Sequence, residues 1–240
     1  MSNPSGERRG GKVIKEYIYR DEHGAPFHKV ERTEDKQFPQ SHWVNGIDGF
    51  KKGHWKFGAP ADNRYPYCVT ELVKAPKDTL VVSFEGEKDH ETGMDLDLLA
   101  TTNAGSLNGF TKWCRKLLPW YKGFQCLAVV GDCDKIGRHF ARVRAQAFSR
   151  IIPDVRIVEL PDLEEGGDFS DWVAAGGTKE KFLELWEALP KFVPAPLGNK
   201  LDEIIKFGAG IYFDTDAKAV WFIINEMLRR GYQPSQIKMS

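Results

Sequence analysis

Leu80-Val81-Val82-Ser83-Phe84 runs straight into Glu85-Gly86-Glu87-Lys88-Asp89, and this junction decides how the chain is read. Farther along, Cys126-Leu127-Ala128-Val129-Val130 runs in the same way into Gly131-Asp132-Cys133-Asp134-Lys135-Ile136-Gly137. Each is a short apolar run that ends in carboxylates and opens into a helical pattern. Unbroken apolar runs are what parallel strands covered by helices on both faces require. In open α/β sheets, ligands bind just beyond the carboxyl ends of such strands. Neighbouring strands lie about 4.8 Å apart, so pairing of these two lets Glu85, Asp132 and Asp134 converge. Carboxylates that share a small volume do not all stay ionised unless a cation neutralises them. All-oxygen donors suit Mg²⁺ or Mn²⁺ rather than zinc. The junctions therefore predict an acidic divalent-metal site.

The surrounding pattern alternates. Strands are expected over 79–84, 99–102, 126–131 and 155–160, with helices over 88–99, 107–118, 135–151, 170–175 and 178–189. Alternation at this spacing predicts a parallel sheet with right-handed crossovers and helices on both faces, an α/β fold. Ahead of it, Val13 to Arg20 and Phe27 to Arg32 alternate around Asp21-Glu22-His23-Gly24-Ala25-Pro26, which predicts a hairpin. Residues 38–74 are rich in Gly and aromatics with weak periodicity. The expected organisation is a disordered tail at 1–12, a β-rich N-terminal module at 13–77 and the α/β domain at 78–190. A Pro-rich linker at 191–200 and a helical C-terminal segment at 201–240 complete it.

Composition narrows the function classes. Lys plus Arg and Asp plus Glu number 34 each in 240 residues, so no global basic field draws nucleic acid. Nucleic-acid binding would need a local patch. The densest is Phe50-Lys51-Lys52-Gly53-His54-Trp55-Lys56-Phe57 with Arg64-Tyr65-Pro66-Tyr67, which interleaves cations with aromatic rings. Such stretches can neutralise and stack on a single strand, and they can equally form a small β core. The four cysteines form no Cys-x-x-Cys pair, and no apolar run reaches the roughly 18 residues a membrane span needs. The expectation is a cytoplasmic protein with free thiols and no membrane partner. Gly6 to Lys12 mimics a phosphate-binding loop, yet Val13 stands where that loop needs Ser or Thr.

The ordered motifs Glu85-Gly86 and Asp132-Cys133-Asp134, with Asp168-Phe169-Ser170-Asp171-Trp172 past a later strand, resemble the Toprim family. That family is the metal-binding catalytic domain of primases, topoisomerases and some nucleases. The longer stretches Glu85 to Asp89, Ala100-Thr101-Thr102-Asn103-Ala104-Gly105 and Asp132 to Arg138 look most like primase-type members from phage and mobile-element replication modules. His90 departs from the pattern, where a small residue usually opens the helix. The resemblance covers roughly residues 78–190. It implies a compact parallel sheet and Mg²⁺- or Mn²⁺-dependent nucleotidyl or phosphoryl transfer on nucleic acid, with primer synthesis foremost. The implied partners are a single-stranded DNA template, nucleotides and a replicative helicase. A Toprim nuclease and a non-catalytic loading module are the rival readings.

In this reading Asp132 and Asp134 hold the metal, with Asp89 and Asp168 as further oxygen ligands and Glu85 as general base or additional ligand. Asp89 could instead serve a first helical turn, and Asp171 could cap the helix before Trp172. Glu87 and Lys88 read as solvent-facing. Lys88 is nonetheless carried as a phosphate-contact candidate with Thr102, Asn103, Gly105, Lys135 and Arg138. Lys51, Lys52, Trp55, Lys56 and Arg64 are the candidates for gripping a nucleic-acid strand.

Overall fold

The computed structural model describes residues 11–46 and 52–194. Residues 1–10 of the tail expected at 1–12, the helical segment expected at 201–240, most of the linker, and Lys51 lie outside the described residues.

The chain opens with β1 (Val13–Arg20) and β2 (Pro26–Thr33), paired antiparallel as the alternating pattern predicts. Asp21 builds the turn between them. Its Oδ1 accepts the amides of His23 and Ala25 at 3.0 and 2.8 Å, and Gly24 takes the left-handed conformation there. Two further strands, β3 (Gln40–Val44) and β4 (His54–Phe57), complete a meander in the order β1-β2-β3-β4. Trp43 and Trp55 stand directly opposite on β3 and β4, with ring centroids 5.2 Å apart.

After α1 (Val69–Lys74) comes the parallel sheet: β5 (Val81–Ser83), β6 (Leu99–Thr101), β7 (Cys126–Val130) and β8 (Asp154–Val158), ordered β6-β5-β7-β8. Intervening helices are α2 (Glu87–Asp95), α3 (Ser106–Leu117) and α4 (Lys135–Phe148). Then α5 (Phe169–Ala174) and α6 (Lys179–Ala188) close the fold. Side chains alternate across a strand, and the wholly apolar runs accordingly feed two cores. Val81, Leu127, Val129 and Val155 meet Phe110 and Leu117 of α3 and Ala141 and Phe148 of α4 on one face. Val82, Ala128, Val130 and Val158 meet Phe169, Trp172 and Phe182 on the other. Helix α2 stops at Asp95, short of the expected 99, because Asp97 turns left-handed to release Leu98 into the second core.

The N-terminal sheet sits against α2. Tyr19 donates its hydroxyl to Glu87 Oε1 at 2.7 Å, Lys15 pairs with Glu91 at 3.0 Å, and Tyr67 meets His90 edge-on at 4.6 Å. His90 is thus accommodated as a buried ring in the first turns of α2. Leu72 of α1 belongs to the core of the parallel sheet, although α1 falls within the stretch 13–77 read as β-rich.

Candidate active site

The central strands β5 and β7 pair directly, with Ser83 opposite Val129, so their carboxyl ends lie side by side as the two junctions predict. Glu85 leaves β5 just before Gly86, the extended residue that starts α2 without a side-chain cap. Its Oε1 accepts the Ser106 hydroxyl at 2.9 Å, while its Oε2 is buried with no hydrogen-bond partner.

Close backbone contact shapes the end of β7. A Cβ on Gly131 would lie 2.3 Å from the Gly137 carbonyl oxygen, and one on Gly137 would lie 2.3 Å from the Asp132 carbonyl oxygen. Glycine at both positions lets the first turn of α4 press onto the strand end and places Asp132 at its mouth. Asp134 is the N-cap of α4, its Oδ1 accepting the Gly137 amide at 2.6 Å.

The third acidic segment arrives through main-chain bonds. Cys133 N donates to Gly167 O at 2.8 Å and Gly166 N donates to Cys133 O at 2.9 Å, which brings Asp168 to the same end of the sheet. Asp168 caps α5 in a reciprocal arrangement with Asp171, so the helix begins at Phe169 rather than at Trp172. Asp168 Oδ2 also accepts the Lys88 ammonium. Asp89 does not cap its own helix. It reaches across to α5 and takes the Ser170 amide and hydroxyl at 3.0 and 2.6 Å. The expectation that Glu87 and Lys88 face solvent is corrected here: Glu87 turns under the N-terminal sheet to meet Tyr19, and Lys88 folds onto Asp168.

These carboxylates act on one another. Burial, then the charges of Glu85, Asp89, Asp168 and Asp134, push the Asp132 carboxyl up to about 7. Burial also raises Asp89, with Asp168 adding to it and Ser170 and Lys88 working against it. Yet among the described residues no three Asp, Glu, His or Cys side chains are gathered closely enough to hold an ion as they stand. The fields converge while the donor atoms stay apart, because Asp134, Asp89 and Asp168 are held by the α4 amide, Ser170 and Lys88. The donor set still fits a hard divalent cation. It is all oxygen, it contains the unpartnered buried Glu85 Oε2, and the charges of Glu85, Asp89, Asp168 and Asp134 all bear on the Asp132 carboxyl.

The loop after β6 is built inward. Thr102 Oγ1 donates to the Phe84 and Glu85 carbonyls at 3.0 and 3.2 Å, and Asn103 Nδ2 donates to the Ala104 and Ser106 carbonyls at 3.1 and 2.9 Å. Gly105 takes the left-handed conformation ahead of α3. The side chains of Thr102 and Asn103 therefore shape the loop instead of projecting from it. Beneath them lies Arg144 of α4, fully buried between Phe110 and Phe140 and donating to Asn103 Oδ1, Ser83 Oγ and Phe84 O. Burial pulls its guanidinium down to about 10.

Ser106 and Ser170 thus hold Glu85 and Asp89, while Arg144 holds the Asn103 loop and the end of β5; the sequence reading assigned these side chains no role. Arg144 did leave a signal, standing four residues after Phe140 and four before Phe148 on the apolar face of α4. Lys135 and Arg138 are exposed on the first turns of α4, with Arg138 3.5 Å from Glu165. Lys52, Lys56 and Arg64 are exposed, in the chain's N-terminal part. Trp55 is half-buried on β4 with Lys29 Nζ 5.5 Å from its ring, and Arg64 lies 3.5 Å from Asp62.

No protein-family model and no curated protein matches the chain. Solved structures do. The primase fragment of the bacteriophage T7 primase-helicase protein aligns at 18% identity and a TM-score of 0.51, covering 71% of this chain and 61% of that one. The Aquifex aeolicus primase, with its zinc-binding and RNA polymerase domains, aligns at 13% identity and 0.50, covering 97% and 56%. A DNA primase domain from Pseudomonas aeruginosa aligns at 15% identity and 0.50, covering 98% and 74%. The chain thus spans less than two thirds of the first two of these. At such identities the likeness is one of fold: an antiparallel sheet followed by a helix-flanked parallel sheet, as in primase catalytic fragments.

Proposed function

We propose that this chain performs divalent-metal-dependent nucleotidyl transfer on single-stranded nucleic acid, as a primer-synthesising protein of a phage or mobile-element replication module. The observation that carries the reading is the parallel pairing of β5 with β7, which sets Glu85 and Asp132 just past neighbouring strand ends, with Asp168 brought to the same end by the Cys133–Gly167 main-chain bond. The shared fold of primase fragments supports it.

Asp132, Asp134, Asp89 and Asp168 would hold Mg²⁺ or Mn²⁺, and Glu85 would accept a proton from the attacking hydroxyl or join the ligands. A bound divalent ion supplies charge neutralisation and alignment of attacking and leaving oxygens. Around it, Lys135 and Arg138 on the exposed turn of α4 suit a nucleotide triphosphate, and the left-handed Gly105 opens backbone amides beside Glu85. Lys52, Trp55, Lys56 and Arg64, with Lys51, would grip the template, since an acidic centre repels phosphate. The T7 neighbour is part of a primase-helicase protein, and we extend a helicase partner and a cytoplasmic setting to this chain on that reading. Among the described residues no helix is long and apolar enough to cross a membrane.

Incubation with single-stranded DNA, labelled nucleotides and Mg²⁺ separates this function from its rivals. New labelled oligonucleotides are expected. Shortened template means a nuclease on the same acids, and binding without either product means a loading module.

A further inference from the structure

The hydrogen bonds that hold Glu85 lead back to one buried side chain. Its Oε1 accepts the Ser106 hydroxyl at 2.9 Å, and its main-chain carbonyl accepts the Thr102 hydroxyl at 3.2 Å. Ser106 is in turn tied through its carbonyl to Asn103 Nδ2 at 2.9 Å. Asn103 Oδ1 accepts from Arg144 Nη2, while Arg144 Nη1 donates to Ser83 Oγ at 2.5 Å and to Phe84 O at 2.6 Å, immediately before Glu85 in the chain. A single guanidinium on α4 thus grips the end of β5 with one nitrogen and the loop leading to Ser106 with the other.

Arg144 is 1% exposed, and all three of these acceptors are neutral. It lies between Phe110 and Phe140, with Cζ 5.0 and 4.3 Å from the ring centroids. Burying a charge without a charged partner is costly, and an unbranched apolar side chain would fill the same space without that cost. What arginine alone supplies is a rigid planar fork with several donor directions. Such a fork fixes the spacing of the two segments that it joins.

Resting on the role given to Glu85 above, we propose that Arg144 is the positioning residue of Glu85, locking the end of β5 to the Asn103–Ser106 loop so that the Glu85 carboxylate is presented in one orientation. Buried as it is, Arg144 acts only through these contacts. Without the fork, strand end and loop move independently and the Ser106 hydroxyl no longer holds Glu85.

The test uses the full chain and Arg144→Met, with circular dichroism and melting to establish folding. Hydrogen exchange is expected to rise about tenfold or more in peptides covering 83–86 and 102–106, with β7 at 126–130 unchanged. Turnover in primer synthesis is expected to fall by about 10²-fold, with KM for nucleotides unchanged. In a Glu85→Gln background the same substitution should cost nothing further, whereas a residue that serves only the core would lower turnover equally in both backgrounds. Equal losses, or unchanged exchange in the folded variant, overturn the proposal and leave primer synthesis standing. A wild type that makes no primers overturns the proposed function instead, and the exchange pattern by itself then decides for or against Arg144. Arg144→Lys, whose one ammonium lacks the fork, repeats the test should the methionine variant fail to fold.

Discussion

Cys133 and Gly167 are joined by a main-chain hydrogen bond of 2.8 Å, and this bond carries Asp168 to the end of the strand that bears Asp132. The cysteine side chain has no part in it. Its sulfur lies 3.8 Å from the Leu163 carbonyl oxygen, directed to the loop after β8. Cys133→Ser is therefore expected to leave metal affinity unchanged and stability within about 0.5 kcal/mol, by Mn²⁺ titration and urea melting. Gly137→Ala, by contrast, forces a Cβ into the Asp132 carbonyl and should lower stability by about 1–3 kcal/mol. Loss of metal affinity in Cys133→Ser would make the sulfur a ligand and point to a softer ion.

Glu85→Gln keeps the shape and the Ser106 contact while removing charge and basicity. If Glu85 takes the proton or binds the ion, turnover in primer synthesis should fall by about 10² or more, with single-strand binding unchanged. Turnover within about threefold of wild type, against the 10²–10⁴ expected of general acid–base catalysis, would remove Glu85 from the mechanism.

The parallel core was legible because its strands are apolar on both faces and end in carboxylates, so pattern and topology coincide at Val81–Ser83 and Cys126–Val130. Strands β3 and β4 were not, because His42, Trp43, His54 and Lys56 give no clean alternation, and β4 is a sheet edge, which imposes none. At the site, the sequence placed the acids but not what holds them. Lys88 reads as a surface lysine until α5, 80 residues away in the chain, supplies Asp168. Ser170 and Ser106 are small polar residues whose partners are equally non-local. Such pairings depend on tertiary packing, which local periodicity does not encode.

The N-terminal sheet has its own pH signature. His28 is fully buried, with Nε2 3.1 Å from Gln40 Oε1, and burial, aided by the charge of His42, pulls its pKa down to about 4. The unfolded chain, with an ordinary value near 6.5, then binds the extra proton between these two values. Stability from this group is complete above about pH 6.5 and is lost as pH falls towards 4, at up to about 1.4 kcal/mol per unit. Urea melts of wild type and His28→Gln across that range check it. An unchanged slope in the variant would contradict it.

Under the proposed function, the stretch around β4 would grip the template. Trp55→Ala is expected to weaken single-strand binding by about 1–3 kcal/mol, and changing Lys52 and Lys56 to Ala should flatten its salt dependence by up to about 0.7 per lost phosphate contact. Because Trp55 also meets Trp43 at 5.2 Å, melting must be followed on the same variant. A lower melting temperature with unchanged affinity per folded molecule would assign the indole to the sheet core instead.

The central claim is that the acids at the ends of β5 and β7 form one divalent-cation site, and thermal melting with and without Mg²⁺ tests it most directly. An ion at about a hundred times its Kd adds about 2.7 kcal/mol to the folded state. At about 2–4 °C per kcal/mol for a chain of this size, wild type should melt about 5–10 °C higher with Mg²⁺. Asp132→Asn relieves the repulsion from Glu85, Asp89, Asp168 and Asp134. Without metal it should melt at or above the wild-type temperature, and it should gain nothing from Mg²⁺. A wild type indifferent to Mg²⁺ and Mn²⁺, or an Asp132→Asn variant that is stabilised as much as wild type, would contradict the account.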